Sequence, residues 1–317
     1  MRMRLLVACI VCVLLALSFP GIVSKLEDNF TKCSDFFFQG ESPVIPGILE
    51  NSEPQNNDYR VVCQKYRNKI RYATLYDTKK KIPVFSAYKY TGTKVFVKQE
   101  SLRTRMIELE LEPKDAEMRV PFENQARNKD YWIKNTYKYF PGTLFSMSHT
   151  ADEETAESIL TLTNSVPQTN GFRDGIWNLV DQTTKESMEN DCIDNNHNLV
   201  AYVMTGAVPG NTMLNQRVNV PSYMWTAFCC YNSATTSWVS KAYYTENKRK
   251  NVTKIKLKSL MDLQEFLTTK LGKKVELFKN NCSLDDSKFR RWILPNRRLK
   301  KYIMRASERH GEVHYLS

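Results

Sequence analysis

Few side chains in this sequence are suited to moving protons or holding a metal. Its 317 residues include only four histidines, His149, His197, His310 and His314, and they are scattered. None has a convincing set of metal-ligand partners. His197 lies in an Asn-rich polar turn, and His310 and His314 fall in the last residues. The cysteines point to oxidation rather than metal. Cys9 and Cys12 belong to an N-terminal apolar run, which leaves Cys33, Cys63, Cys192, Cys229, Cys230 and Cys282. An even set without a Cys-x-x-Cys pair reads as a disulfide framework, not a zinc site. A bond between the neighbours Cys229 and Cys230 would be strained, so each is expected to pair elsewhere. On a strand they would face opposite sides. Asn29, Asn251 and Asn281 head Asn-x-Ser/Thr sequons and are candidate glycan acceptors.

The compartment follows from the N-terminus. Arg2 and Arg4 precede an uncharged run from Leu5 to Leu17, Pro20 and Gly21 break it, and Ser24 suits cleavage. Residues 1–24 therefore read as a signal peptide. A retained anchor is the alternative, but a spanning helix needs about 20 apolar residues. No later segment is long and apolar enough to insert stably in a membrane. The expected location is secreted, extracellular.

The net charge of +12 favours polyanions: nucleic acid, anionic glycans or anionic lipid surfaces. Ordinary solubility charge is the plain alternative. Basic residues concentrate between Lys288 and Arg309, with Phe289, Trp292 and Tyr302 among them. Such a segment can neutralise phosphates and stack on bases, or be a simple charged tail.

The elements that must position any site read as follows. Glu41 to Asp58 is loop-like, with Pro43, Pro46, Gly47 and Pro54. Arg60–Cys63, Arg71–Leu75 and Pro83–Tyr90 are expected strands, as are Thr161–Thr163, Leu199–Gly206 and the aromatic-rich Tyr223–Tyr231, expected to be central. Phe122–Asn135 is a polar, partly helical connection. Helices are expected over Gly171–Glu189, with Ile176, Trp177 and Val180 on one face, and over Ser259–Leu271, capped by Ser259. The mixture predicts an α+β fold with a mainly antiparallel sheet and packed helices.

Four segments carry a family resemblance: Lys32 to Phe37 (KCSDFF), Ile82 to Tyr90 (IPVFSAYKY), Thr161 to Gln168 (TLTNSVPQ) leading into Gly175-Ile176-Trp177, and Leu214 to Ser233 (LNQRVNVPSYMWTAFCCYNS). The sequence resembles the endonuclease domain-containing 1 proteins, in particular their secreted fish-type branch. These lie within the DNA/RNA non-specific endonuclease superfamily. The resemblance spans most of residues 25–284, and residues 285–317, the basic tail, lie beyond it. It implies a ββα-metal (His-Me finger) nuclease-like fold. Active members use a histidine in an Asp-Arg-Gly-His run as general base, and an asparagine on the following helix holds magnesium. The metal stabilises charge on the phosphate, and imidazole takes the proton of water.

Carried over residue by residue, that run falls on Phe140-Pro141-Gly142-Thr143, so Thr143 replaces the base. The metal asparagine falls on Arg173, the helix carboxylate on Asp181, and the strand-end asparagine on Asn164. A threonine hydroxyl is no proton acceptor near pH 7, and a guanidinium repels a cation. A phosphate-binding arginine falls on Arg103 or Arg105. His149 enters as a base only through a shifted alignment, an ordinary hydrogen-bonding histidine being the alternative. The expectation is a pseudonuclease that binds nucleic acid or another polyanion without cutting it. No cofactor is expected, with magnesium required if activity is retained. The rivals are a residual nuclease working through His149 or Asp174, and an extracellular interaction protein for anionic glycans or a protein partner.

Overall fold

Runs such as Arg71 to Tyr76 and Tyr223 to Tyr231, rich in β-branched and aromatic residues, fit a pleated surface better than a helix. In the computed structural model, which describes residues 25–93, 105–112, 122–131 and 139–282, strands accordingly dominate. In chain order they are β1 (Lys25–Glu27), β2 (Leu49–Glu50), β3 (Glu53–Pro54), β4 (Tyr59–Tyr66), β5 (Lys69–Asp77), β6 (Ile82–Tyr90), β7 (Tyr139–Thr143), β8 (Ser165–Thr169), β9 (Ala201–Val208), β10 (Thr212–Leu214), β11 (Val218–Val220), β12 (Tyr223–Asn232) and β13 (Ser237–Glu246). The helices are α1 (Glu153–Ser158), α2 (Asn178–Asp191) and α3 (Leu260–Leu271). The expected signal peptide, Arg103, the basic tail, His310 and His314 lie outside the described residues.

Seven strands form one antiparallel sheet in the order β1-β4-β5-β6-β9-β12-β13. The α+β expectation with a mainly antiparallel sheet holds. β12 is interior, paired with β9 on one side and β13 on the other, but β6 is the middle strand. Alternation along these strands builds a core on each face. Phe85, Ala87, Ala227 and Cys229 join the core that receives α3 through Leu260, Leu263 and Leu267. Tyr88, Tyr90, Phe228 and Cys230 face the other way, toward Met188 of α2.

Two local expectations need correction. Thr161–Thr163 is not a strand. Residues Leu162–Asn164 form a 3-10 turn, in which Thr163 Oγ1 donates to Thr161 Oγ1 (3.1 Å) and Ser165 Oγ donates to Thr161 O (2.6 Å). Such short side chains satisfy the backbone locally and compete with a ladder; the strand begins only at Ser165. The helix expected over Gly171–Glu189 is two pieces, a π-helical turn at Phe172–Trp177 followed by α2. Gly175 sits inside the turn at φ −103°, ψ −109°.

The six cysteines pair as Cys33–Cys63, Cys192–Cys230 and Cys229–Cys282. Cys229 and Cys230 bond on opposite faces of β12, as alternation requires.

Candidate functional site

The residues assigned by resemblance converge on one ββα unit. β7 and β8 form an antiparallel two-stranded ribbon, with Thr143 opposite Ser165 and Phe140 opposite Gln168. The chain then enters the π turn and α2. Thr143 is the last residue of β7, and Arg173 is the second residue of the turn. Gly142, the glycine retained from the family run, is sterically required. A Cβ there would lie 2.0 Å from Gln168 Oε1 and 2.2 Å from Gln168 Cδ.

Two guanidiniums gather on β7. Arg173 Cζ lies 4.9 Å from the centroid of the Phe140 ring, a cation–π contact. Its Nε donates to Asp174 Oδ1 at 2.8 Å and its Nη2 to Oδ2 at 3.2 Å. Arg105, buried, donates from Nη2 to the carbonyl oxygen of Pro141 at 2.9 Å. Burial lowers the pKa of Arg105 from its usual value, and the charge of Arg173 acts in the same direction. The two arginines therefore feel one another across neighbouring residues of one strand. Of Arg103 and Arg105, Arg105 lies among the described residues and contacts this strand.

Asn164 is a fully buried brace. Its Oδ1 accepts from Ser86 Oγ (2.8 Å) and from the Phe145 amide (3.1 Å), and its Nδ2 donates to Ile159 O (3.0 Å). It ties β6 to the segment leaving β7.

His149 lies beneath the helix at 2% exposure, with both ring nitrogens engaged. Nε2 donates to the Asp181 carbonyl at 3.2 Å, and Nδ1 accepts from the Tyr88 hydroxyl at 2.8 Å. Burial pulls its pKa down to about 4. Such an imidazole is neutral near pH 7 and offers no lone pair to a water, which argues against the base role that a shifted alignment allowed. Asp181, half-buried, accepts from Ser146 Oγ at 2.7 Å, and that hydroxyl also meets Ser148 Oγ at 2.9 Å. Desolvation pushes the Asp181 carboxyl up to about 7, against the opposing bond from Ser146. The sequence reading missed this Tyr88–His149–Asp181–Ser146 network, because Tyr88 comes from a distant strand.

The residues present do not fit the divalent metal of the family. At the position that the resemblance assigns to the asparagine stands the guanidinium of Arg173, and the adjacent carboxylate of Asp174 is already paired with it. Among the described residues no group of three or more His, Cys, Asp or Glu side chains gathers elsewhere.

Of the candidate glycan acceptors, Asn251 is exposed. Asn29 caps a 3-10 helix by accepting from the Thr31 amide, and Asn281 accepts from Gln264 Nε2. Among the described residues no helix is long and apolar enough to cross a membrane.

The family described as DNA/RNA non-specific endonuclease matches residues 51–271. The human endonuclease domain-containing 1 protein is 26% identical over 271 residues, covering 82% of this chain and 49% of the relative. The mouse protein of the same name is 25% identical over 270 residues, covering 81% and 48%. The chain thus spans about half the length of the curated relatives it matches. Among solved structures, a chain of the EndoG/EndoGI complex is similar at 15% identity and a TM-score of 0.45, covering 65% of this chain and 83% of that one. With its β7–β8–α2 unit and a family match running from the turn before β3 to the last residue of α3, the chain belongs to the DNA/RNA non-specific endonuclease family.

Proposed function

We propose that this protein is a secreted pseudonuclease that holds the phosphate backbone of nucleic acid, or a similar polyanion, without cleaving it. One observation carries the reading: Arg173, which the resemblance assigns to the family's metal position, and Arg105 both contact β7, at Phe140 and Pro141. With Nε and Nη2 of Arg173 turned to Asp174, its Nη1 is the group left to donate to a phosphate oxygen, and such a charge-assisted bond needs no metal. Thr143 supplies no general base, a contribution worth about 10²–10⁴-fold in rate. Secretion rests on the basic-apolar leader together with three disulfides, which persist in oxidising compartments.

The test joins two assays on the purified chain. DNA and RNA, single- and double-stranded, should survive incubation with magnesium or manganese. The same preparation should bind them with an affinity that falls steeply as salt rises. Arg173→Glu should weaken that binding. Metal-dependent turnover abolished by His149→Ala or Asp174→Asn would establish a residual nuclease instead. Absent cutting with heparin bound far better than DNA would favour a glycan-binding protein. The combined variant Phe140→Asp, Pro141→Arg, Thr143→His, Arg173→Asn rebuilds the family pattern and should gain metal-dependent cutting.

A further inference from the structure

A cleft of about 680 Å³ opens at the end of the β7/β8 ribbon remote from Thr143. Its walls come from the β8-to-π-turn junction, the loop before β10, the start of β12 and the end of β13. The side chains that matter are Tyr139, Asn170, Asn211, Lys248 and Arg249. We propose that this cleft seats an unpaired nucleobase of a single-stranded nucleic acid whose phosphates lie on Arg173 and Arg249. The inference rests on the phosphate-binding reading above and adds the class of strand it takes.

Three observations carry it. First, the cleft lies at the same ribbon as Arg173 and carries a cation of its own, Arg249. Tyr139 precedes Phe140, on which Arg173 stacks. Arg249 lays its aliphatic chain across Gly171, where an added Cβ would meet its Cγ and Cδ at 2.8 Å. Its guanidinium makes no ion pair among the described residues, whereas Lys248 pairs with Glu246 at 3.5 Å. A strand held at Arg173 therefore has a second cation next to the cleft. Second, the wall is preformed. Asn247, 6% exposed, donates from Nδ2 to Pro167 O (2.8 Å) and Pro221 O (3.1 Å), tying β8 to the segment before β12. Third, the lining has the chemistry of base recognition. Asn170 and Asn211 are exposed amides, each offering a donor and an acceptor to a base edge, and Tyr139 supplies an aromatic face. The volume lies within the range of sites that take small ligands, about 300–1,000 Å³. A base inside a duplex presents no free face to such a cleft, so the strand must be unpaired.

The experiment compares fluorescein-labelled oligothymidylate with an abasic deoxyribose-phosphate strand of equal length, by anisotropy on the full chain. The base-bearing strand should bind about tenfold or more tightly, the value of one base stacked on an aromatic side chain. Asn211→Leu and Asn170→Leu, separate exposed positions in the lining, should each move the oligothymidylate affinity at least threefold toward the abasic value. Neither should change the melting temperature or the abasic affinity. Equal affinity for the two strands in the unaltered chain overturns the cleft while leaving the arginine pair standing. If the abasic strand does not bind at all, the phosphate reading fails. The cleft is then read by saturation-transfer NMR with uridine monophosphate, where base-proton signals lost in Asn211→Leu support it and their absence overturns it. Heparin binding weakened by Asn211→Leu as much as oligothymidylate binding would make this a glycan site and overturn the inference.

Discussion

Asn164 and His149 show how a residue type that looks chemical becomes structural. Each uses its polar atoms on the protein itself, so removing either leaves partners buried without a bond. Asn164→Ala strands the Phe145 amide and the Ile159 carbonyl and leaves Ser86 Oγ with Thr74 Oγ1 alone. It should cost about 1–3 kcal/mol in urea unfolding, with Asn164→Asp no rescue because Nδ2 is needed as a donor. His149 makes a pH prediction. Its folded pKa is near 4, below the unfolded value of about 6.5. Between these values the unfolded chain binds the extra proton, so the contribution of this residue to stability grows as pH rises from about 4 to about 6.5 and is complete above that. Asp181, raised to about 7, has the opposite sign: its share is lost as pH climbs from about 4 to about 7. The two are separable by substitution. The stability difference between the unaltered chain and His149→Gln should widen from pH 4 to pH 6.5, whereas Asp181→Asn should gain on the unaltered chain over the same range. A difference that stays flat with pH in both variants would remove this account.

At the scale of elements, the sequence was most legible where local signals agreed. The helix over Leu260–Leu271 announces itself by Ser259, and the structure shows a full capping box with Asp262 and a left-handed Gly272 at φ 75°. The strands β4, β5, β6, β9 and β12 were readable from apolar and aromatic runs, with ends displaced by a few residues, whereas β10, β11 and β13 were not. What stayed hidden depends on contacts between distant segments. The π turn at Phe172–Trp177 could not be seen, because Ile176, Trp177 and Val180 keep an α-helical spacing while Gly175 lets the backbone depart from it. The base and metal positions were legible only through the family resemblance, since no spacing of Thr143 and Arg173 speaks for itself. The ribbon yields a further prediction. Gly142→Ala drives a methyl into the buried Gln168 side chain, which has no solvent route by which to move aside. It should destabilise by about 1–3 kcal/mol, and Gln168→Gly in the same chain should recover part of the loss. Equal melting temperatures for the Ala variant and the unaltered chain would contradict the contact.

Across the whole molecule, one strand joins the layers. β12 carries Cys229 into the core under α3 and Cys230 into the core under α2. Cys229 reaches Cys282, the last described residue of the fold, across a sequence separation of 53. Cys230 reaches Cys192, just past the end of α2, across a separation of 38. The second bond therefore anchors the helix that follows Arg173, and the first anchors the segment that closes over the opposite face. Both restrict the unfolded chain, and losing a native disulfide costs about 2–5 kcal/mol. The two losses should differ in kind. Cys192→Ser with Cys230→Ser frees the end of α2, so it should lower both the melting temperature and the affinity for a phosphate strand held at Arg173. Cys229→Ser with Cys282→Ser lies on the far side of the sheet and should lower the melting temperature by a similar amount while leaving that affinity within about twofold, well under the roughly 1.4 kcal/mol of a tenfold change. Calorimetry and strand-binding anisotropy on the two double variants, below their melting temperatures, decide it. If both variants lose affinity alike, the arginine pair depends on the fold as a whole and not on the tether of its own helix.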